Sequence, residues 1–434
     1  METLEIINHI IGIVFLVCYA YQFFYIPVPW ILRGKKIAPK APHDKHYAVM
    51  ICGRNEEHVI GDLIDSLRRQ TYDQSKISIF VMADNCTDRT ADVCREKGVN
   101  VYERFNTELV GKGYAMNELM RHIAEDYPDG FDAYFVFDAD NILRDDYVEQ
   151  MHNTFCAGND IVTSYRNSKN YGDNWITAGY SLWFIRESRY LSHSRYLLGT
   201  SCAISGTGFM FSRKVAEETG PWPYYLLTED IQMSVDQITK GRKIAFASGA
   251  MFYDEQPVKF SQSWRQRKRW SRGFLQVIRD YGWKMVKGVF RGSFSCYDML
   301  MAIAPAYLLT VVSLILNVVF ITKGLLSGGT VLAALASLAG LLGLMYASVF
   351  FVGAVATVTE WKYIHTSSAR KIVYMFTFPF FMMTYLPISI ASLFGKVEWK
   401  PINHSKSVKS MREASNGADE LSEMMRAEAG GDNA

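Results

Sequence analysis

Three long apolar stretches constrain most strongly how this 434-residue chain can fold. They cover residues 4–27, 299–322 and 330–357, and each matches the roughly 20 residues that an α-helix needs to cross a bilayer. The first stretch follows no basic segment and precedes no small-x-small cleavage site, so we expect a membrane anchor there and not a signal peptide. The chain is therefore predicted to be a membrane protein with a large polar region between its apolar stretches.

Basic residues after the first stretch predict the orientation, because the positive-inside rule places them in the cytoplasm. Residues 372–394 are also apolar, but Pro379 and Pro387 interrupt them, and a full crossing would put the following lysines outside. We therefore expect a broken interfacial or re-entrant segment there. The acidic, polar residues 413–434 are predicted to be a disordered tail. The basic residues that set the orientation are Arg33, Lys35, Lys36, Lys40 and Lys45.

The polar region alternates strand-like and helix-like runs over residues 46–255. Strand patterns cover 46–52, 77–82, 99–103 and 133–137, with helix patterns between them, as over 112–124. This alternation predicts an α/β, Rossmann-like domain with a mostly parallel sheet and helices on both faces. Ligands of such sheets bind at the carboxyl ends of the strands. The polar side chains predicted at those ends are Arg54, Asp84, Asp138 and Asp140.

Two carboxylates follow the apolar strand within residues 134–141. Asp138 and Asp140 are two positions apart, so in an extended segment both side chains would face the same way. Carboxylate oxygens suit Mg²⁺ or Mn²⁺, and such an ion could hold a diphosphate. From these residues alone, the alternative is a solvated turn that ends the strand.

Composition and motifs exclude several functional classes. The formal net charge is +2, which gives no case for nucleic acid as a partner. The seven cysteines lack Cys-x-x-Cys spacing, so neither a disulfide framework nor a zinc site is indicated. Neither a Gly-x-Gly-x-x-Gly turn nor a Walker loop is present, which disfavours a nicotinamide dehydrogenase or a P-loop nucleotidase.

Four motifs occur in order along the chain. They are Asp84 within Ala83-Asp-Asn-Cys-Thr-Asp88, the pair Asp138-Ala-Asp140, then Thr228-Glu-Asp230, and finally Gln266-Arg-Lys-Arg-Trp270. Together they resemble the membrane-embedded family 2 glycosyltransferases, which include the cellulose, chitin, hyaluronan and poly-N-acetylglucosamine synthases. The resemblance covers residues 46–410 and implies a cytoplasmic GT-A catalytic domain, a UDP-sugar donor and inversion at the anomeric carbon.

The resemblance also implies a donor site. Asp84 would accept hydrogen bonds from the uridine, with helix capping as its alternative role. Asp138 would hold nucleotide or metal, and Asp140 would coordinate the Mg²⁺ or Mn²⁺ ion that offsets charge on the leaving UDP. Lys112 fits either a basic residue near the donor or a solvated helix start. The other predicted donor-binding residues, with Lys112 in the first role, are Arg54, Glu56, Gln266 and Arg269.

Asp230 is the candidate general base, because direct displacement with inversion needs one carboxylate near the acceptor hydroxyl. Glu229 beside it, also placed in the catalytic motif, is expected to point elsewhere and orient the loop, although Thr228-Glu-Asp also suits a helix N-terminus. Gly206 and Thr207 are predicted to bind the acceptor, since small residues let the backbone approach a sugar closely. Trp270 would offer its flat face to the same sugar.

The end of the chain resembles a hyaluronan synthase gating loop. There Trp399 and Lys400 are predicted to close over the diphosphate, although the tripeptide after Trp399 differs from the family pattern. Basic and aromatic residues over 258–293 are typical of a helix at the membrane interface. The predicted parts are an N-terminal transmembrane helix (1–32), the GT-A domain (46–257), interfacial amphipathic helices (258–295), a transmembrane hairpin with the broken segment (296–395), the gating-like loop (396–412) and the tail (413–434).

We therefore expect a multi-pass membrane enzyme, an inverting hexosyltransferase that extends a β-linked polysaccharide processively from UDP-glucose or UDP-N-acetylglucosamine. The alternative is a single transfer to a membrane lipid, which fits the small number of clear spans. A non-enzymatic sugar-nucleotide sensor is disfavoured because all the expected acidic groups are present. The acceptor class (glycan or lipid), homo-oligomers and accessory subunits stay open.

Overall fold

The computed structural model of the protein describes residues 20–32, 38–304 and 331–395, with scattered single positions that include His404. About half of the residues in the predicted spans over 4–27 and 299–322 lie outside the described residues. So do Trp399 and Lys400 of the predicted gating loop, and the predicted tail.

Strands and helices alternate through the first two thirds of the described chain, and helices alone follow. The strands are β1 Tyr47–Gly53, β2 Ile77–Asp84, β3 Asn100–Arg104, β4 Ala133–Asp138, β5 Ile142–Leu143, β6 Ile161–Ser168, β7 Phe209–Ser212 and β8 Ile244–Asp254. The helices are α1 Val28–Ile31, α2 Ile60–Arg68, α3 Thr90–Glu96, α4 Lys112–Asp126, α5 Tyr147–Cys156, α6 Trp175–Arg186, α7 His193–Leu198, α8 Arg213–Thr219, α9 Glu229–Thr239, α10 Phe260–Phe290, α11 Phe294–Ile303, α12 Val331–Thr359, α13 Ser368–Met383 and α14 Tyr385–Leu393. A π-helical turn over Glu187–Ser192 joins α6 to α7, and 3₁₀ turns lie at Gln74–Lys76 and Trp361–Tyr363.

The described strands form one sheet in the order β3-β2-β1-β4-β7-β6-β8-β5. Strand β1 pairs in parallel with β2 and β4, β2 with β3, and β6 with β8. The short strands β7 and β5 run antiparallel to their neighbours. The predicted Rossmann-like α/β fold with a mostly parallel sheet is confirmed. Strand β7 departs from the predicted alternation, because its four residues follow a glycine-rich turn and carry too short a pattern to recognise.

Alternate residues of β1 divide between the two cores of the domain. Val49 and Ile51 pack with α2 on one face, and Ala48 and Met50 pack with α4 on the other. All four are fully buried, because successive side chains of a strand point to opposite faces and helices cover both. The continuous apolar run in the sequence is therefore explained by burial on both sides.

The strand register brings the predicted site residues to one edge of the sheet. Cys52 of β1 is opposite Asp138 of β4, and Gly53 is opposite Ala83, which precedes Asp84 in β2. The loop after β1, the end of β2 and the end of β4 therefore meet at the same carboxyl edge, as expected for ligand sites of parallel sheets.

Two helical stretches among the described residues, Leu342–Thr359 and Ser368–Leu393, are long and apolar enough to cross a membrane. The first lies in α12 and corresponds to the span predicted over 330–357. The second contains α13 and α14. It is long enough to cross a membrane completely, whereas the sequence favours an interfacial or re-entrant arrangement.

The break in the second stretch lies at Thr384 and not at either proline. Pro379 lies inside α13, and Pro387 lies inside α14. At the break, the carbonyl oxygen of Phe381 accepts hydrogen bonds from Thr384 Oγ1 at 2.5 Å and from Arg267 Nη1 at 3.2 Å. Pro387 has no N–H to bond the carbonyl oxygen of Met383, and its ring crowds that carbonyl, so the helix breaks within one turn before the proline, at Thr384.

Candidate active site

Asp84 ends β2 with its side chain buried against Arg104. Arg104 Nη1 donates to Asp84 Oδ1 at 2.7 Å, and the Asn85 side-chain amide donates to the same oxygen at 3.0 Å. Burial raises the pKa of Asp84 above its ordinary value, and the Arg104 guanidinium opposes that shift. The capping role at α3 falls to Asp88, whose Oδ1 accepts from the Thr90 backbone N–H at 3.0 Å. Asp84 is therefore positioned by an arginine that the sequence analysis does not single out.

Lys112 joins the end of β4 to the glycine-rich loop before β7. Its Nζ donates to Asp138 Oδ1 at 2.5 Å and to the Gly206 carbonyl oxygen at 2.9 Å. Burial alone would lower the pKa of Lys112, but the negative charges of Asp138 and Glu229 raise it. A charged lysine is thus held between the donor residues and the acceptor residues that the sequence predicts.

Asp140 lies in the turn after β4 and is only 5% exposed. The strand ends at Asp138 and the next two residues form a turn, so the expectation that both carboxylates extend from one strand face is wrong. Asp140 Oδ2 accepts from the Glu255 backbone N–H at 2.8 Å. Burial would raise the pKa of Asp140, but the positive charges of His404 and Lys169 bring it below its ordinary value. Asp140 is therefore a buried, ionised carboxylate.

His404 is a site residue that no sequence motif predicts. Its Nδ1 lies 3.0 Å from Glu56 Oε2 and 3.1 Å from Oε1. Burial would lower the pKa of His404, but Asp140 and Glu56 raise it to about 10, so the imidazole is charged at neutral pH. A single histidine in a basic segment has no motif to reveal it, because only the fold brings residue 404 next to residue 56.

Asp254 is a second missed carboxylate, at the end of β8. Arg166 Nε donates to its Oδ2 at 2.7 Å and Gln256 Nε2 donates to its Oδ1 at 2.6 Å. Burial, with a contribution from the charge of Asp140, raises the pKa of Asp254 to about 6. Among the described residues, no group of three or more His, Cys, Asp and Glu side chains is placed to hold a metal ion.

Glu229 and Asp230 form the first turn of α9, and both carboxyl groups face the site. Burial raises the pKa of Asp230, while Lys112 and Arg269 oppose the shift. Burial and the charge of Asp230 raise the pKa of Glu229 to about 7. The same two cations act on Glu229, so the expectation that it points away from the site is wrong.

The glycine-rich loop needs left-handed backbone at two positions. Gly206 has φ +79° and Gly208 has φ +66°. A Cβ at Gly206 would lie 4.0 Å from Asp230 Oδ2, so the backbone of the loop approaches the candidate base. Thr207 is buried, and its Oγ1 donates to Asn141 Oδ1 at 2.6 Å and accepts from the Asp138 backbone N–H at 2.8 Å. Its side chain supports the end of β4, and its predicted acceptor contact, which would be made by the backbone, stays a prediction.

The Gln-x-x-Arg-Trp motif lies in α10, beside the first turn of α9. Arg269 Nη1 donates to the Leu227 carbonyl oxygen at 2.7 Å, just before Thr228-Glu-Asp230. Trp270 packs edge-to-face on Tyr180 and Phe184, with ring centroids 5.8 Å and 6.3 Å away.

For two predicted donor residues, Gln266 and Arg54, the structure gives only indirect evidence of a place in the site. Gln266 Oε1 is buried without a hydrogen-bond partner in the described part of the chain. The charge of Arg54 lowers the pKa of Asp84, so it lies on the same side of the sheet edge.

Comparison with known proteins agrees with this geometry. The family described as "Glycosyltransferase like family 2" matches residues 42–273, more than half of the 434-residue chain. A probable glycosyltransferase, YdaM, of Bacillus subtilis is 24% identical over 284 residues, which are 60% of this chain and 61% of YdaM. The beta-monoglucosyldiacylglycerol synthase of Synechocystis is 24% identical over 244 residues, 55% of this chain and 49% of the synthase.

A third relative is the poly-beta-1,6-N-acetyl-D-glucosamine synthase of Staphylococcus epidermidis, 24% identical over 278 residues, 62% of this chain and 63% of that synthase. The chain thus spans about half to three fifths of the length of these curated relatives. Among solved structures, the mannosyltransferase PcManGT from Pyrobaculum calidifontis, in complex with GDP-Man and Mn²⁺, aligns with a TM-score of 0.54. At 16% identity, the alignment covers 88% of this chain and 99% of PcManGT and shows a shared GT-A fold. With its four ordered motifs and this family match, the chain belongs to the glycosyltransferase like family 2.

Proposed function

We propose that the protein is a membrane-embedded, inverting glycosyltransferase that moves glucose or N-acetylglucosamine from a UDP donor to a glycan or lipid acceptor. The observation that carries this proposal concerns Lys112. Its Nζ donates hydrogen bonds both to the Asp138 carboxylate and to the Gly206 carbonyl oxygen. A donor diphosphate near Asp138 and an acceptor near Gly206 would then lie on either side of one fixed cation.

The donor would bind along the carboxyl edge of β1, β2 and β4. Asp84, held by Arg104, would accept hydrogen bonds from the uracil, while Arg54 and Lys112 would balance the phosphate charge. The carboxylates of Asp138 and Asp140 are hard oxygen donors that fit Mg²⁺ or Mn²⁺, and the low pKa of Asp140 keeps one of them ionised. When bound, such an ion would offset the charge that develops on the departing UDP. Phosphate oxygens and water would complete its ligands.

Asp230 would act as the general base. A base works best when its pKa lies close to the working pH, and burial moves the pKa of Asp230 in that direction. Lys112 and Arg269 keep the carboxylate ionised, while Gly206 leaves room for an acceptor hydroxyl beside it. The base would take the hydroxyl proton as the acceptor oxygen attacks the anomeric carbon from the side opposite UDP.

Processive extension of a β-linked polysaccharide is our first choice of product. It is supported by the complete Gln266-x-x-Arg269-Trp270 motif beside the first turn of α9 and by similarity to a polysaccharide synthase. Single transfer to a membrane lipid is the second choice, favoured by similarity to lipid glucosyltransferases and by the apolar helices that continue from the domain. We place the catalytic domain on the cytoplasmic side of a multi-pass membrane protein, because of the basic residues after the first apolar stretch.

The test is product analysis with purified protein, Mn²⁺ and radiolabelled UDP-glucose or UDP-N-acetylglucosamine. A polymer synthase should give a labelled product of high molecular mass. A lipid transferase should give a labelled product that extracts into organic solvent. Asp230→Asn should abolish either product while UDP affinity, measured by calorimetry, stays within about twofold, because the base does not hold the nucleotide. Near-wild-type turnover by Asp230→Asn would refute the assignment of the base.

A further inference from the structure

Arg166 is a partly buried cation that none of the four motifs contains. It lies on β6, two residues after a shift in the pairing register with β8, and its guanidinium makes contacts on three sides. Nη1 donates to the Ser205 carbonyl oxygen at 2.9 Å, and Nε donates to Asp254 Oδ2 at 2.7 Å. The plane of the guanidinium lies over the Phe184 ring, 3.6 Å from its centroid. One planar group therefore joins three separate segments of the chain.

The first contact supports the acceptor loop, which we define as residues 205–208. Ser205 is the residue before the left-handed Gly206, and a Cβ at Gly206 would lie only 3.6 Å from Arg166 Nη1. The loop therefore rests directly on the guanidinium. On the same side, Ser205 Oγ donates to the partly buried Glu187 Oε2 at 3.3 Å.

The second contact leads to the proposed diphosphate side. Asp254 accepts from both Nε and Nη2 of Arg166 through one oxygen. The next residue, Glu255, donates its backbone N–H to Asp140 at 2.8 Å. Arg166 thus connects the acceptor loop, through Asp254, with the segment that holds Asp140.

The third contact leads to the aromatic side of the site. Phe184, beneath the guanidinium, packs edge-to-face on Trp270 with ring centroids 6.3 Å apart. Stacking on an aromatic face together with two in-plane bonds suits a planar guanidinium and not an ammonium group. The acceptor loop, the segment that holds Asp140 and the aromatic rings around Trp270 are therefore all supported by the guanidinium of Arg166.

We propose that Arg166 is a positioning residue, which sets the acceptor loop at a fixed distance from the segment that carries Asp140. The inference rests on the proposed function, because it assigns the acceptor to the Gly206 side and the donor to the Asp140 side. Arg166 touches neither reactant and acts through Ser205, Asp254 and Phe184.

The test compares Arg166→Lys with Arg195→Lys. Arg195 is a matched control, because it also forms a buried pair, bonding Asp298 through Nε and Nη2 at 2.7 Å each, without a contact to the acceptor loop. Both variants keep the positive charge and replace the planar guanidinium by an ammonium group. Hydrogen–deuterium exchange of the full-length protein in detergent should show faster exchange in the acceptor loop for Arg166→Lys, and wild-type exchange there for Arg195→Lys.

The kinetic test uses labelled UDP-glucose and UDP-N-acetylglucosamine. Arg166→Lys should lower kcat for transfer roughly 10- to 100-fold while the Kd of UDP with Mn²⁺ changes less than about twofold, because a small misplacement of reactants is costly to rate and not to donor binding. The ratio of sugar transferred to UDP released without transfer should fall as well, which a general loss of folded protein would not produce. Arg195→Lys should leave kcat per folded molecule and this ratio unchanged.

Wild-type loop exchange in Arg166→Lys would overturn the proposal, and so would equal effects of the two variants. A wild-type protein that transfers neither sugar would contradict the proposed function, whereas the exchange result would still decide whether Arg166 holds the loop.

Discussion

Replacing Gly208 by alanine should destabilise the protein much more than the same change at Gly206, although both glycines have positive φ. A left-handed backbone costs a non-glycine residue about 1–2 kcal/mol. At Gly208 the new methyl group would also lie 2.3 Å from the ring of the buried Phe252, which must move. Overpacking of this kind costs about 1–3 kcal/mol.

The expected magnitudes follow from adding these effects. Alanine also restricts the unfolded chain, which offsets about 0.4–1 kcal/mol of the cost. We therefore expect a loss of about 1–5 kcal/mol, centred near 3 kcal/mol, for Gly208→Ala and about 1 kcal/mol for Gly206→Ala. At Gly206 the nearest atom to the new methyl group would be Arg166 Nη1 at 3.6 Å, so no overpacking is added.

Sugar transfer per folded molecule should respond in the opposite order, with a larger loss for Gly206→Ala than for Gly208→Ala. The methyl group of Gly206→Ala would lie about 4 Å from Asp230 Oδ2, in the space proposed for the acceptor hydroxyl. The assay measures urea unfolding by tryptophan fluorescence, together with sugar transfer per folded molecule, for both variants. Equal stability of Gly208→Ala and wild type would refute the geometry of the loop, and full activity of Gly206→Ala would refute the position of the acceptor.

Two further predictions concern the charges around the donor. Lys112→Met should weaken UDP binding and move the acid limb of the kcat–pH profile to higher pH, because the positive charge of Lys112 lowers the pKa of Asp230 and kcat is lost as pH falls through that pKa. Lys97→Met is its control, since Lys97 pairs with Asp65 at 2.5 Å away from the site, and an identical shift in both variants would contradict the assignment. Asp140→Asn should weaken UDP binding at least tenfold in Mn²⁺ and little in its absence, as measured by calorimetry, because it removes a charged oxygen from the proposed ion site. Equal losses of UDP affinity with and without Mn²⁺ would show that Asp140 stabilises the folded site and does not bind the ion.

Much of the fold could be predicted from local sequence because its physical cause is local. The apolar runs of β1, β2 and β4 are continuous, since both faces of the sheet are covered, and such runs indicate buried strands without knowledge of their neighbours. The register of parallel strands then places Asp84 and Asp138 at one edge, as the alternation of strands and helices predicts.

The side-chain orientations at the site could not be predicted in the same way. The expectation for Asp138 and Asp140 assumes an extended segment, but β4 ends at Asp138 and a turn sends Asp140 toward Glu255. The motif predicts that Glu229 points elsewhere, but in the folded chain its carboxyl group lies within reach of the charges of Lys112 and Arg269.

The sequence by itself determined the α/β class, the apolar stretches and the order of the acidic and Gln-x-x-Arg-Trp motifs, because these depend on neighbouring residues along the chain. Only the tertiary structure decided which charges meet. It paired Asp84 with Arg104, brought Lys112 to both Asp138 and Gly206, placed Arg166 beneath the acceptor loop, and set His404 against Glu56. The physical reason is that burial makes an unpaired charge costly, so the folded chain selects partners by distance in space, and no periodicity in the sequence encodes that distance.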